Sequence, residues 1–451
     1  MMFVVILALF ALQAAARGAP AETVSSDNVF DATTAMSTSA RAAVYGLALL
    51  ALCLLCLKVP DAPMLLLVCL MPIVQFQGLR VALTLLQCVI VWLRAGTVRH
   101  LLPSWPLSVF LVCITASASW ALDPKESLFG ESVGVIAMLL QVPIAIAACA
   151  LLSASLTSAP RLLWAFTLGC IPGCGLVAYN ALAGITWHEG NKSYYMGFLR
   201  PDIFSPMLVM SGVFLLFCVT SRVNRPLGKI FAGSLLPVVS MALFLSGVRS
   251  GWIAFLIAAL VMLVLSRSWA GLAGLCTVGV VLTVLWFTAA ASLGLEDQLS
   301  ARLSEQSLET GEMRVRYWEV AAQGFLRRPL LGIGWGGFPS FLADSLGFSM
   351  LTHNTFLRIA CELGVVGLAV FFAWVTMTIL RVRHSSDRRL IEVLILGMLV
   401  QGLFLDHFPG NYFWLFLGLC DGACRLKQHQ GLAPTERSYS SSCSCVSPVA
   451  T

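Results

Sequence analysis

Thr352-His-Asn-Thr-Phe-Leu-Arg-Ile-Ala-Cys-Glu-Leu-Gly-Val-Val-Gly367 is the place where a polar interval hands over to a membrane helix. From Phe356 the chain runs on in apolar residues to about residue 380, near the length that crosses roughly 30 Å of hydrocarbon. One titratable ring, His353, stands at the handover. Before it, from Gly294 to Leu351, lies the longest hydrophilic interval of the chain, and five of its charges are arginines. The organisation is one of greasy helices around a single large polar loop. Chemistry at the membrane surface would sit where the two meet.

Composition agrees with that organisation. Of 451 residues 59% are hydrophobic and 11% charged, against about 25% charged in a soluble domain, so the chain is a polytopic membrane protein with no room for an ordinary soluble domain. The net charge of +6 is too mild, and too scattered among aromatics, for nucleic-acid binding. The fifteen cysteines lie mostly in apolar segments and read as packing. Cys53 with Cys56, Cys170 with Cys174 and Cys420 with Cys424 lack the further ligands of a metal site.

Apolar segments fall at about 42–58, 62–78, 81–93, 102–121, 132–154, 162–183, 204–221, 228–247, 251–266, 270–292, 356–380, 390–405 and 411–424. Met1–Ala16 adds a possible first helix or signal peptide. The expected fold is all-α and divides into five parts. An apolar segment and polar loop (1–41) lead into membrane helices (42–293). The large outer loop with short helices (294–353) precedes the last membrane helices (354–424) and a Ser-rich disordered tail (425–451).

Lys and Arg set the orientation. Arg222, Arg225 and Lys229, then Arg267, then Arg381, Arg383, Arg388 and Arg389, then Arg425 and Lys427 share one side, the cytoplasm. The opposite side nevertheless carries Arg200, Arg249, Arg302, Arg314, Arg316, Arg327, Arg328 and Arg358. Ion pairs to Glu305, Glu309, Glu312 and Glu319 explain some of these. Arg249 has no neighbouring carboxylate in sequence and stands between two apolar segments, where an ionisable group points to function.

Several constellations could carry chemistry. Asn354 is a helix cap, and Gly364 and Gly367, three apart, are expected on one helix face where a neighbouring helix approaches. A helix end pinned in this way would hold the His353 imidazole still, as a general base requires. Gly311 to Arg328 is expected to be helical, with Arg314, Tyr317 and Trp318 on or near one face. Gly332-x-Gly334-x-x-Gly337 matches a dinucleotide fingerprint only formally, without a βαβ unit. It reads better as a turn that brings backbone amides or the Trp335 ring near a ligand. The 184–203 connection gathers Trp187, His188, Lys192 and Arg200. His407 beside Asp406 is a second, weaker candidate for proton transfer. No carboxylate pair or His-x-x-x-His spacing implies a metal, and no cofactor is implied.

His353-Asn354 followed after nine residues by Gly364-Val-Val-Gly367 resembles the signature of O-antigen ligases. Their superfamily also holds O-antigen polymerases and bacterial protein O-oligosaccharyltransferases. Val248-Arg249-Ser250-Gly251, Arg316-Tyr-Trp318, Pro329-Leu-Leu-Gly-Ile-Gly334 and Ser117-Ala-Ser-Trp-Ala-Leu-Asp-Pro124 fit the same pattern. The resemblance implies about twelve membrane helices, within a range of twelve to fourteen. It also implies a metal-independent, inverting glycosyltransferase of the bacterial inner membrane with its site facing the periplasm. The implied donor is a glycan on undecaprenyl pyrophosphate and the implied acceptor is lipid A-core, in lipopolysaccharide biosynthesis. His353 would deprotonate the acceptor. Arg249 and Arg316 would hold the pyrophosphate, with Arg314 and Arg200 as further members. Polymerase and protein oligosaccharyltransferase remain alternatives with the same donor. A transporter of the lipid-linked glycan, from a different class, would show inverted repeats and mid-membrane charges. Only Glu362 lies well inside an apolar segment.

Overall fold

The computed structural model describes residues 58–72, 77–96, 98–130, 134–182, 186–188, 191–194, 201–221, 226–267, 305–383 and 387–430. Met1–Ala16, the expected spans at 42–58 (all but its last residue) and 270–292, Arg200 and residues 431–451 lie outside them.

In chain order the helices are α1 (Ala62–Leu70), α2 (Gln77–Ala95), α3 (Trp105–Ser117), α4 (Pro124–Phe129), α5 (Val135–Leu139), α6 (Val142–Ser153) and α7 (Ala159–Leu182). After a short ribbon follow α8 (Pro201–Thr220), α9 (Pro226–Leu245), α10 (Arg249–Leu265), α11 (Glu305–Arg327), α12 (Phe338–Leu346), α13 (Thr355–Val382), α14 (Arg388–Gly402) and α15 (Asn411–Gln430). The ribbon pairs β1 (Thr186–His188) with β2 (Asn191–Tyr194) antiparallel, Thr186 opposite Tyr194. The fold is otherwise helical, as expected; in this one connection Thr186, Trp187 and Tyr194 supply the branched and aromatic residues that suit extended backbone.

Among the described residues five stretches are long and apolar enough to cross a bilayer: Val135–Ser153, Ala159–Asn180, Pro201–Thr220, Pro226–Leu245 and Thr355–Val382. Trp105–Ser117 and Arg249–Leu265 are shorter apolar helices. The chain is thus a multi-pass membrane protein. Two expected spans come out shorter than hydropathy alone suggests. In the 62–78 segment the helix stops at Leu70, ahead of Pro72, which has no N–H to continue the ladder. In the 102–121 segment α3 ends at Ser117, and the next residues turn aside to pair with a distant loop.

Uniformly apolar helices have no preferred face, so shape decides their partners. On α15, Gly418 and Gly422 lie against Ala145, Cys149 and Leu152 of α6, where any side chain would meet α6 itself. In the core α3 crosses α13, with Phe110 on Phe371 at 5.7 Å between ring centroids. The polar loop contributes a second, smaller core. Tyr317, Val320 and Ala321 of α11 close with Phe338, Phe341 and Leu342 of α12 over Ile333 and Cys361. That small core seats α11 on the first turns of α13.

Candidate functional site

The site is built on an interruption. α13 leaves helical geometry at Gly364, with φ 66° and ψ −163°, a region open almost only to glycine. The break strips neighbouring carbonyls and amides of their intrahelical partners, and the segment Pro329–Gly334 supplies replacements. The Cys361 and Glu362 carbonyls accept from the Ile333 and Gly334 amides at 2.9 and 3.0 Å, and the Val365 and Val366 amides donate to the Pro329 and Leu330 carbonyls at 2.8 and 3.3 Å. A β-carbon on Gly364 would run into the Leu330 backbone, and one on Gly332 into the Glu362 backbone. These bonds correct two expectations. Gly364 and Gly367 do not form one smooth helix face, because loop backbone, not a neighbouring helix, occupies the break. The amides of Ile333 and Gly334 are spent on α13, and the Trp335 ring is buried, 1% exposed. The glycine run is therefore a docking device between loop and helix.

The C-terminal end of α3 closes the same joint. Leu122 donates to the Ile333 carbonyl at 2.9 Å, the Trp120 indole to the Leu331 carbonyl at 3.0 Å, and the Trp335 amide to the Ser117 hydroxyl at 2.9 Å. Three stretches noted separately in sequence thus meet in one joint.

Behind the break lies a buried ion cluster. Arg358 donates from Nε to Glu362 Oε2 at 3.0 Å and from Nη1 to Asp406 Oδ2 at 2.8 Å, and all three side chains are at most 1% exposed. Its guanidinium lies 4.4 Å above the Trp335 ring. Glu362 Oε1 accepts from the Phe338 amide at 3.2 Å, and Asp406 Oδ1 from the Phe408 amide at 3.2 Å. A buried pair is seldom a net source of stability, yet removing one partner leaves a charge stranded. The cluster therefore fixes the registry of α13, α12 and the 403–408 turn. The i,i+4 spacing of Arg358 and Glu362 was visible in sequence; Asp406, 48 residues on, carried no such signal.

The 403–408 turn in turn cradles the start of α13. Asn354 accepts from the Phe356 and Leu357 amides, both at 3.0 Å, capping the helix, and its Nδ2 donates to the Leu403 carbonyl at 3.0 Å. The Thr355 hydroxyl donates to the Leu405 carbonyl at 2.8 Å and accepts from the His407 amide at 3.2 Å. His407 is buried, its Nε2 3.0 Å from the Met398 carbonyl and its Nδ1 3.0 Å from the Tyr412 hydroxyl. A carbonyl only accepts, so Nε2 carries the proton and Nδ1 accepts from Tyr412. Burial pushes the His407 pKa down to about 4. This corrects the sequence expectation for His407: both nitrogens are committed, and it is a buried neutral strut.

His353 sits in a different setting. It is half-buried, its backbone is left-handed at φ 50°, and its ring stacks on Tyr317 at 6.3 Å between centroids. A left-handed non-glycine residue persists only where its surroundings over-determine it. Those surroundings are the cap at Asn354, the Thr355 latch, and the Trp318 indole donating to the Thr352 carbonyl at 3.1 Å.

Arg314 stands one helical turn before Tyr317 on α11. Burial lowers its pKa, the like charge of Arg249 lowers it further, and Asp202 and Tyr317 oppose the fall. Arg249 opens α10 and is exposed; Asp202 is in the first turn of α8. The structure thus brings Arg314, Arg249, Asp202 and Tyr317 within one electrostatic neighbourhood, with His353 stacked on its edge. Arg316 is exposed, about 200° around α11 from Arg314, and does not share that face. Asp202 escaped the sequence reading because it is 47 residues before Arg249 and 112 before Arg314 in the chain. Among the described residues no group of three or more His, Cys, Asp or Glu is arranged to hold a metal ion.

Compared with known families, residues 232–372 match the family model described as O-antigen ligase. The matched stretch runs from α9 into α13 and includes Arg249, Arg314, His353 and the Gly364 break. No curated protein matches the chain.

Proposed function

We propose that this chain, which over residues 232–372 belongs to the O-antigen ligase family, is a bacterial inner-membrane glycosyltransferase whose site faces the periplasm. It moves a glycan from undecaprenyl pyrophosphate to a sugar hydroxyl of lipid A-core. His353 is the general base for the acceptor, and Arg249 and Arg314 bind the pyrophosphate; Arg316, on the other side of α11, is not assigned to that pair.

The observation that carries this reading is the conjunction at the mouth of α13. A half-buried imidazole in a fixed, left-handed backbone abuts Tyr317, one turn from a guanidinium that already feels a second one. Two guanidiniums that repel each other are relieved by a multivalent anion, and arginine meets phosphate oxygens with a bidentate fork. Neutralising the pyrophosphate makes it a good leaving group without a metal. An imidazole near neutral pH takes the acceptor proton as the hydroxyl attacks the anomeric carbon. Attack opposite the leaving group inverts the anomeric configuration.

The test is to incubate the purified protein with a lipid-linked glycan and either lipid A-core or a second lipid-linked glycan. Extension of lipid A-core is the expected outcome. Extension of the second donor alone would make the chain a polymerase, and extension of neither would overturn the enzymatic reading.

A further inference from the structure

The Arg328–Gly334 segment belongs by sequence to the polar loop, yet the structure ties it to residues far down a membrane helix. Its carbonyls pair with Val365 and Val366, ten and eleven residues past the start of α13. From Val365 to the end of α13 at Val382 the helix rises about 27 Å, almost the full hydrocarbon thickness of roughly 30 Å. The first turns of α13, with Arg358 and Glu362, therefore stand above or at the boundary, and the joint with the loop is at the top of the hydrocarbon.

A second helix gives the same answer. α3 is antiparallel to α13, since Phe110 meets Phe371 while Ser117 meets Trp335 beside Arg358. Its 13 residues rise about 20 Å from Trp105 to Ser117, so a joint at Ser117 lies no higher than the outer boundary.

The side chains at this level are apolar and uncovered. Leu330 is 68% and Leu331 47% exposed, and Leu122, Val365 and Val366 around them are exposed as well. Irregular backbone at such a depth is tolerated where protein satisfies its polar groups, and here the carbonyls of Pro329, Leu330, Leu331 and Ile333 and the amides of Gly332, Ile333 and Gly334 have protein partners. Arg327 and Arg328, both exposed, open the segment: Arg328 Nη1 donates to the Trp120 carbonyl at 2.5 Å, and the Arg327 guanidinium lies 4.9 Å from the Phe341 ring centroid.

We propose that Arg328–Gly334 is a re-entrant loop docked in the outer leaflet, with Leu330 and Leu331 against acyl chains. It anchors α11, and with it Arg314, to the bilayer. The inference goes beyond the catalytic reading and does not depend on it.

The full chain in phospholipid liposomes tests this with a photoreactive residue at three positions: Leu330→p-benzoylphenylalanine, Val365→p-benzoylphenylalanine as the hydrocarbon reference and Glu312→p-benzoylphenylalanine as the aqueous one. Irradiation is expected to give phospholipid adducts at 330 and 365 and none at 312. No lipid adduct at 330, or crosslinking there to a second copy, would overturn the proposal. Hydroxyl-radical labelling of the unmodified protein gives an independent reading. Leu330 and Leu331 are expected to be as protected as buried Leu342, and labelling equal to that of exposed Val315 would overturn it.

Discussion

Gly364→Ala tests the joint on which the site is built. The native φ of 66° with ψ −163° costs a non-glycine residue about 1–3 kcal/mol. The added methyl also meets the Leu330 backbone, which cannot swing aside as a side chain would. If the loop is expelled, four backbone hydrogen bonds between Pro329–Gly334 and α13 are lost, at about 1 kcal/mol each where water replaces them. Strain with the loop in place and expulsion of the loop are alternative responses, so the cost is capped at about 4 kcal/mol, still a large part of the stability of a typical domain. The assay is thermal unfolding of the purified protein in detergent, with cleavage after Arg327 and Arg328 by trypsin as the local readout. Gly175→Ala is the control: that glycine lies inside α7 with open space around its Cα, and alanine there gains helix propensity. The expected result is a lower midpoint and faster cleavage for Gly364→Ala, and no loss for Gly175→Ala. Equal midpoints and cleavage rates for Gly364→Ala and wild type would refute the interlocked joint.

Arg358→Ala strands Glu362 and Asp406 in the interior and is expected to destabilise by about 3–5 kcal/mol; folded yield measures this. Thr355→Val removes the hydroxyl that bridges the Leu405 carbonyl and the His407 amide, at about 1–3 kcal/mol. Because Thr355 adjoins the His353–Asn354 turn, kcat should fall more than KM rises, and Thr355→Ser should restore both. His407 adds a pH dependence. Its folded pKa of about 4 lies below the ordinary 6.5, so the unfolded chain binds the extra proton first. Its contribution is full above pH 6.5 and is lost as pH falls toward 4, a change of about 3 kcal/mol. His407→Phe should flatten that part of the profile in a denaturation series.

Sequence reasoning reached the membrane class because hydropathy is a sum over many residues and survives local irregularity. It reached the start of α13 because Asn354 is a strong local cap signal. It missed the break because an isolated glycine in an apolar run is compatible with a continuous helix, and only the partner backbone at Leu330 forces Gly364 out of it. Asp406, in a buried ion pair with Arg358, and Asp202, whose charge acts on Arg314, were missed for a similar reason: such charges join residues distant in the chain, and spacing carries no trace of them. Hydropathy also overestimated α3, whose last apolar residues leave the helix to meet the loop. Arg314 and Arg316 were inseparable by composition; helical phase puts them on different sides of α11.

The central claim concerns the imidazole at the mouth of α13, and one rate tests it most directly. Glycan transfer from the lipid-linked donor is compared between wild type and His353→Ala, with donor binding measured in parallel. Loss of a general base predicts a fall in kcat of about 10²–10⁴-fold with donor affinity kept. Transfer at the wild-type rate by His353→Ala would contradict the account.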